Sequence, residues 1–151
     1  MRKPHQGKFH PSQPQKYAGN AENIVYRSGL EFRMMRYFDA TNAVVKWSSE
    51  EIIIPYIRPD DRLQHRYYPD FFIQVRQKDG KMKHVLIEVK PSKQCAPPAA
   101  PKTKRQHARF LNEALTYAVN EAKWNAAREW CAKCGAEFLI LTETEIEGKF
   151  T

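Results

Sequence analysis

Residues 69–90 have the sequence PDFFIQVRQKDGKMKHVLIEVK, in which two apolar-rich runs flank an Asp-Gly step. This pattern predicts a β-hairpin, because an Asp-Gly turn between two alternating runs is a strong hairpin signal. Successive side chains of a strand point to opposite faces. The aliphatic side chains would share one face of the hairpin: Phe71, Ile73, Val75, Val85, Ile87 and Val89. Asp70, Glu88 and Lys90 would then lie on the other face.

The register of this hairpin decides whether the two carboxylates meet. A three-residue loop with Gly80 in the left-handed conformation pairs Gln77 with Lys81 and sets Asp70 opposite Glu88. A two-residue turn would place the carboxylates on different faces, and the hydrophobic pattern favours the first arrangement. Opposed carboxylates repel each other, and a divalent cation such as Mg²⁺ relieves the repulsion while activating water. Lys90 could stabilise charge that develops on phosphorus.

The remaining periodicity predicts the fold class. Ser28 and Glu31 have the spacing of a capping box at the start of a helix. Two extended pieces are expected over 44–57, with a turn or bulge over 48–51 between them. Further strands are expected over 67–77 and 81–90 in the hairpin and over 137–142, with a long helix over 106–133. The order α-β-β-β-α-β predicts an α/β (α+β) domain with a mixed sheet of about four strands flanked by helices.

The length of the chain indicates its domain organisation, and its net charge indicates the class of binding partner. The chain has 151 residues and a formal net charge of +8. We expect a basic flexible arm over 1–19 and a single domain over 20–151. The charge suits DNA, although an anionic membrane or an acidic protein would also fit. Neither a signal peptide nor an apolar run long enough for a membrane span is visible, so an intracellular protein without a membrane role is expected.

The three cysteines do not indicate a disulfide framework, because their number is odd. Cys131 and Cys134 make a C-x-x-C, which permits a zinc or redox interpretation. No second pair of ligands completes a zinc site, and three-residue spacing is also one face of the predicted long helix.

The hairpin residues resemble the PD-(D/E)XK nuclease superfamily, with Pro69-Asp70 followed by Glu88-Val89-Lys90. The resemblance implies a restriction-endonuclease-like fold and Mg²⁺ as cofactor, with Mn²⁺ as a substitute. It further implies that Asp70, Glu88 and the Val89 carbonyl bind the metal and that Lys90 stabilises charge. Glu31 would be a further or water-mediated ligand, for which capping of its helix is the alternative.

A closer resemblance extends over the chain from Tyr17 onward, through Tyr26-Arg27-Ser28 and His65-Arg66-Tyr67-Tyr68-Pro69-Asp70-Phe71. These segments are similar to head-completion nucleases of T-even-like tailed phages, and they also resemble transposon-end nucleases. The phage resemblance implies a DNA endonuclease that acts on packaged DNA or its ends in the cytoplasm of the infected host. Portal or neck proteins, virion association and a homo-oligomer fit the same role. A non-catalytic DNA-binding component of the portal or neck and a resolvase-type nuclease are the alternatives.

Several polar residues outside the motif are candidates for contacts with DNA. His65 and Arg66 precede the motif, and a basic segment leads into the long helix. Its candidates are Lys102, Lys104, Arg105, Gln106 and Arg109. A solvated charged surface is the alternative for all of them.

Overall fold

Two helices and eight strands make up residues 6–145, the part of the chain that this computed structural model describes. The strands are β1 (Gly7–Phe9), β2 (Ile24–Tyr26), β3 (Val44–Ser49), β4 (Ile54–Ile57), β5 (Gln64–Tyr67), β6 (Phe71–Arg76), β7 (Met82–Val89) and β8 (Glu137–Leu141). The helices are α1 (Gly29–Ala40) and α2 (Lys104–Cys134), with short 3-10 helices at Pro14–Lys16 and Ser92–Gln94.

A four-stranded mixed sheet forms the centre, with strand order β3-β6-β7-β8. β6 is antiparallel to both β3 and β7, and β8 pairs with β7 in parallel. The parallel pair requires a crossover between its strands, and α2 supplies it. The core order α1-β3-β6-β7-α2-β8 therefore confirms the predicted fold class.

The hairpin has the predicted register. Phe71 pairs with Ile87 and Arg76 with Met82. The loop closes through a hydrogen bond from the Gln77 amide to the Lys81 carbonyl, 2.8 Å long. Gly80 has φ of +84°, a conformation that glycine adopts without strain. The three-residue loop is thus present, and its register continues toward Asp70 and Glu88.

Each face of the sheet packs against its own hydrophobic cluster. On one face α1 contributes Met34 and Phe38, which pack with Trp47 and Phe71. On the other face α2 and the β4–β5 hairpin supply a second cluster, whose members include Ile54, Tyr67, Leu86, Trp124 and Ala127. The carboxylate-bearing face is therefore covered by α2 and β5 rather than open to solvent.

The extended segment over 44–57 divides at the predicted turn, since β3 ends at Ser49 and β4 leaves the central sheet to pair with β5. The strand predicted to begin at Tyr67 has different bounds, because β5 ends there and β6 begins only at Phe71. The sharp change of direction between them places Asp70 in a bend.

The expectation of a flexible arm over 1–19 is wrong for the described part of that segment, which begins at residue 6. Lys16 is buried, and its ammonium donates to the carbonyl oxygens of Phe38, Asp39 and Thr41 at 2.6, 3.0 and 2.9 Å. Tyr17 packs its ring against Trp47 at 4.8 Å between centroids. Basic and polar residues here satisfy the C-terminal end of α1, a contact that composition does not reveal.

The large apolar side chains of α2 are buried only from Val119 onward. Leu111 and Leu115 are 55% and 40% exposed, whereas Val119 is buried. No helix within residues 6–145 is long and apolar enough to cross a membrane.

The C-x-x-C lies at the C-terminal end of α2 as two free thiols, Cys131 buried and Cys134 exposed. Burial, followed by the neighbouring Cys134, raises the pKa of the Cys131 thiol to about 11. A thiol with a raised pKa is a poor metal ligand or nucleophile, which favours the structural interpretation.

Candidate active site

Asp70 directly precedes β6, and Glu88 is the penultimate residue of β7. Both carboxylates therefore lie at the same end of this strand pair. Continuing the pairing of Phe71 with Ile87 by one residue sets Asp70 opposite Glu88. The Val89 amide donates to Asp70 Oδ2 at 2.8 Å, which holds this carboxylate against β7. Glu88 is only 6% exposed. The structure therefore brings together the two acids that the hairpin pattern predicted.

This pair is electrostatically unfavourable by itself. The pKa of Asp70 is raised well above its ordinary value, chiefly by burial and then by the charge of Glu88. The hydrogen bond from Val89 and the charge of Lys90 oppose that shift, and Glu31 adds to it. Burial also raises the pKa of Glu88. Both carboxylates consequently need a positive charge nearby to remain ionised.

Tyr67 and Lys90 are the hydrogen-bonding and charged neighbours of Glu88. The Tyr67 hydroxyl donates to Glu88 Oε2 at 2.6 Å, and Lys90 Nζ lies 3.5 Å from Glu88 Oε1. Burial and the Glu88 charge raise the pKa of Tyr67 far above its ordinary value, so the phenol stays protonated as a donor. Tyr67 was not among the predicted site residues, because its contact with Glu88 joins residues 21 positions apart in the sequence.

Lys123 reaches the same site from α2. Its ammonium lies 5.8 Å and 5.7 Å from the ring centroids of Tyr56 and Tyr67. Burial and the charge of Lys90 lower its pKa, while Glu88 and Asp70 oppose that shift. Sequence spacing did not point to this residue, because its position depends on how α2 packs over the sheet.

Ser28 caps α1 as the spacing predicted, whereas the Glu31 side chain accepts from the amide before the N-cap and not from that of Ser28. The Glu31 amide donates to Ser28 Oγ at 3.1 Å, and Glu31 Oε2 accepts from the Arg27 amide at 3.0 Å. Its carboxylate is also close enough to contribute to the raised pKa of Asp70. The structure therefore puts Glu31 near the acidic pair while its side chain accepts from the Arg27 amide.

The candidate DNA-contacting residues are largely exposed. His65 Nε2 is 2.7 Å from Asp61 Oδ2, and the side chain of Arg66 is exposed. Exposed positions also include those at the start of α2: Lys102, Lys104, Arg105, Gln106 and Arg109. Within residues 6–145 none of these seven side chains forms a hydrogen bond or ion pair with Asp70, Glu88 or Lys90.

Gln106, a candidate for contact with DNA, takes part in the cap of α2. Its amide donates to Thr103 Oγ1 at 3.1 Å, and its side-chain oxygen accepts from the Lys102 amide at 2.9 Å. Arg109 is paired with Glu113 at 2.9 Å one turn further on.

The acidic pair suits one hard cation with few protein ligands. No group of three His, Cys, Asp or Glu side chains within residues 6–145 is arranged to hold a metal ion. Mg²⁺ commonly uses only one or two carboxylates and completes its octahedron with water and substrate phosphate. The carboxylates of Glu88, which is buried, and Asp70, which is half-buried, fit that requirement.

Two comparisons with known proteins agree with this geometry. The family described as TnsA-like endonuclease N terminal matches residues 41–143, which include β3, β6, β7, α2 and β8. The head completion nuclease of Enterobacteria phage T4 is 36% identical over 139 residues, covering 91% of this chain and 90% of that protein.

Proposed function

This chain belongs to the family of TnsA-like endonuclease N-terminal domains, and we propose that it is a Mg²⁺-dependent DNA endonuclease of PD-(D/E)XK type. The chain is accordingly a nuclease. Its metal dependence and the roles of its residues are the parts of this proposal that need an experiment.

The observation that carries the proposal is the juxtaposition of Asp70 and Glu88. A buried carboxylate, Glu88, and a half-buried one, Asp70, both have raised pKa values, and a cation between them would allow both to ionise together. Asp70 and Glu88 would hold the metal, with the Val89 carbonyl and Glu31 as further ligands. A bound Mg²⁺ supplies an activated water and neutralises charge on the phosphate that is attacked.

The other groups of the site have defined tasks. Lys90, 3.5 Å from Glu88, places a cation beside the phosphate at which negative charge develops. Tyr67 holds Glu88 by a 2.6 Å hydrogen bond and so orients a metal ligand. Lys123 adds a second cation above the ring of Tyr67.

The biological setting follows from the relative. The T4 protein is named a head completion nuclease, and the similarity spans nearly all of both chains. We therefore propose that this chain trims or cuts packaged DNA in the infected cell, in association with portal or neck proteins. The net charge of +8 would attract the phosphate backbone. Cutting both strands of a duplex would favour two copies of the chain.

Cleavage assays on linear, circular, single-stranded and branched DNA test the proposal, with Mg²⁺, with Mn²⁺ and with chelator. We expect cutting that requires the metal and is lost in Asp70→Ala and Lys90→Ala. Lys78→Ala, in the exposed hairpin loop, is the matched control and should cut normally. Cutting that persists in chelator would contradict the metal mechanism. Branched DNA as the preferred substrate would indicate a resolvase instead of end processing.

A further inference from the structure

A cavity of about 520 Å³ lies between the segment that follows Lys90 and the middle of α2. Its walls include Lys93, Gln94 and Pro97 on one side and Asn112, Tyr117 and Asn120 on the other. This volume falls within the range of small-molecule sites, about 300–1,000 Å³. Neither the metal chemistry nor the sheet core requires this space.

Asn120 is a nearly buried polar residue in the wall of this cavity. Its side chain is 6% exposed, and it lines the cavity. Within residues 6–145 the Asn120 side-chain amide has no hydrogen-bond partner. The amide atoms still reach accessible space, since they are not among the fully buried polar side-chain atoms that lack a partner, so water or a ligand in the cavity can bond to them.

The cavity is next to the acidic pair along the surface of the protein. Asn120 and Lys123 lie three residues apart on α2 and thus on one face, about 4.5 Å apart along the helix axis. The opposite wall begins three residues after Lys90. A strand whose phosphate lies at Asp70 and Glu88 would therefore bring a neighbouring nucleotide to this opening.

The lining matches a nucleobase better than an apolar ligand. Gln94, Asn112 and Asn120 present amides, which can donate to and accept from the edge of a base. Tyr117 offers an aromatic face, and base–aromatic stacking is a general mode of binding unpaired nucleotides. Lys93 adds a cation for a phosphate.

We propose that this cavity holds one unpaired nucleotide of the DNA strand that is bound at Asp70 and Glu88. The inference rests on the proposed DNA nuclease activity and names the substrate form that the site selects: a duplex with an unpaired end or a distorted base pair.

Binding with Ca²⁺ in place of Mg²⁺, which keeps a cation at Asp70 and Glu88 while slowing cleavage, tests this inference by fluorescence anisotropy. The probes are a blunt duplex and the same duplex with a three-nucleotide overhang. We expect the wild type to bind the overhang about tenfold more tightly, the effect of one stacked base. Asn120→Leu and Tyr117→Ala should reduce this preference to that of the blunt duplex. Asn125→Leu, exposed on the same helix, should retain it.

A second measurement does not depend on the folding of a variant. An overhang that carries 2-aminopurine should change its emission when the wild type binds, because the base leaves solvent and contacts Tyr117. Equal affinity of the wild type for blunt and overhang duplexes would overturn the inference. Tight binding of a deoxynucleoside monophosphate without an overhang preference would also overturn it, in favour of a free nucleotide as ligand.

These outcomes are separable from failure of the proposed function. An overhang preference without any metal-dependent cutting would contradict the nuclease mechanism and leave the cavity assignment standing. Metal-dependent cutting without an overhang preference would support the nuclease mechanism and contradict the cavity assignment.

Discussion

When ionised, Asp70 and Glu88 lower the free energy of unfolding, because the folded state disfavours their charges. The size of this effect depends on pH. Their pKa values are raised, so in the absence of a cation the folded state binds protons more tightly than the unfolded state does. The free energy of unfolding therefore falls as pH rises from the ordinary carboxyl range through the raised pKa values. A divalent cation that binds the ionised pair would remove this decline.

We expect Asp70→Asn to melt several degrees higher than the wild type near neutral pH in chelator. The uncharged amide can still accept from the Val89 amide but no longer repels Glu88. Thermal unfolding at several pH values, with chelator and with Mg²⁺, measures the effect. The difference in melting temperature between Asp70→Asn and the wild type should increase with pH. It should disappear when Mg²⁺ is added, because the cation stabilises the wild type.

Glu129→Gln is the matched control, since Glu129 is an exposed acid on α2. Its melting temperature should follow that of the wild type at every pH. An Asp70→Asn variant that is no more stable than the wild type in chelator would show that the acidic pair carries no electrostatic cost.

We expect Tyr67→Phe to lower Mg²⁺-dependent cleavage about tenfold, the usual effect of losing a partner of a metal ligand. The ring still packs, but the 2.6 Å hydrogen bond to Glu88 is lost. Because that bond lowers the pKa of Glu88, its loss should move the acidic limb of the pH–rate profile to higher pH.

The control for this variant is Tyr56→Phe, whose ring also lies beneath Lys123. Its profile should match that of the wild type. If Tyr67→Phe lowered the rate equally at all pH values, the hydroxyl would act on substrate rather than through Glu88.

At the scale of an element, the first turn of α1 tests which role Glu31 has. Glu31→Gln keeps an oxygen that accepts from the Arg27 amide, so stability should change by less than about 0.5 kcal/mol. If Glu31 contributes to the metal site, cleavage should fall about tenfold. Urea unfolding and the cleavage rate separate the two roles.

Ser28→Ala provides the complementary control. It removes the hydroxyl that accepts from the Glu31 amide and should cost about 1 kcal/mol of unfolding free energy. An unchanged cleavage rate in Glu31→Gln would leave Glu31 as a capping residue alone.

At the scale of the whole molecule, the N-terminal segment joins α1 to the edge of the central sheet. Lys16 binds three carbonyl oxygens at the end of α1, and the Ala18 amide donates to the Trp47 carbonyl on β3 at 2.8 Å. A second contact joins the same two segments, since the Ser12 amide donates to Asp39 Oδ2 at 2.8 Å. Residues from 6 onward in this segment are thus a structural part of the fold.

We expect Lys16→Met to lower the free energy of unfolding by roughly 2 kcal/mol, because it removes charge-assisted hydrogen bonds from buried carbonyls. Lys8→Met, at an exposed position of β1, is the matched control and should stay within about 0.5 kcal/mol of the wild type. Urea unfolding measures both. Equal stability of Lys16→Met and wild type would mean that the segment does not anchor α1.

The hairpin and its acidic pair could be predicted from the sequence because their contacts are local. The alternation from Phe71 to Val89 and the glycine at position 80 define one register, and that register sets Asp70 opposite Glu88. The capping box at Ser28 and the glycine stop of α2 at Gly135 are likewise short-range signals. These local patterns were sufficient for the element order and hence for the fold class.

The tertiary structure alone decided the contacts between segments distant in sequence. Lys123 meets the site through the packing angle of α2, and Asn120 borders a cavity formed by the segment after Lys90. Lys16 is buried because the end of α1 needs donors, a requirement that a basic, proline-containing composition conceals. Periodicity and turn chemistry act over a few residues, whereas these contacts depend on where whole elements pack in space.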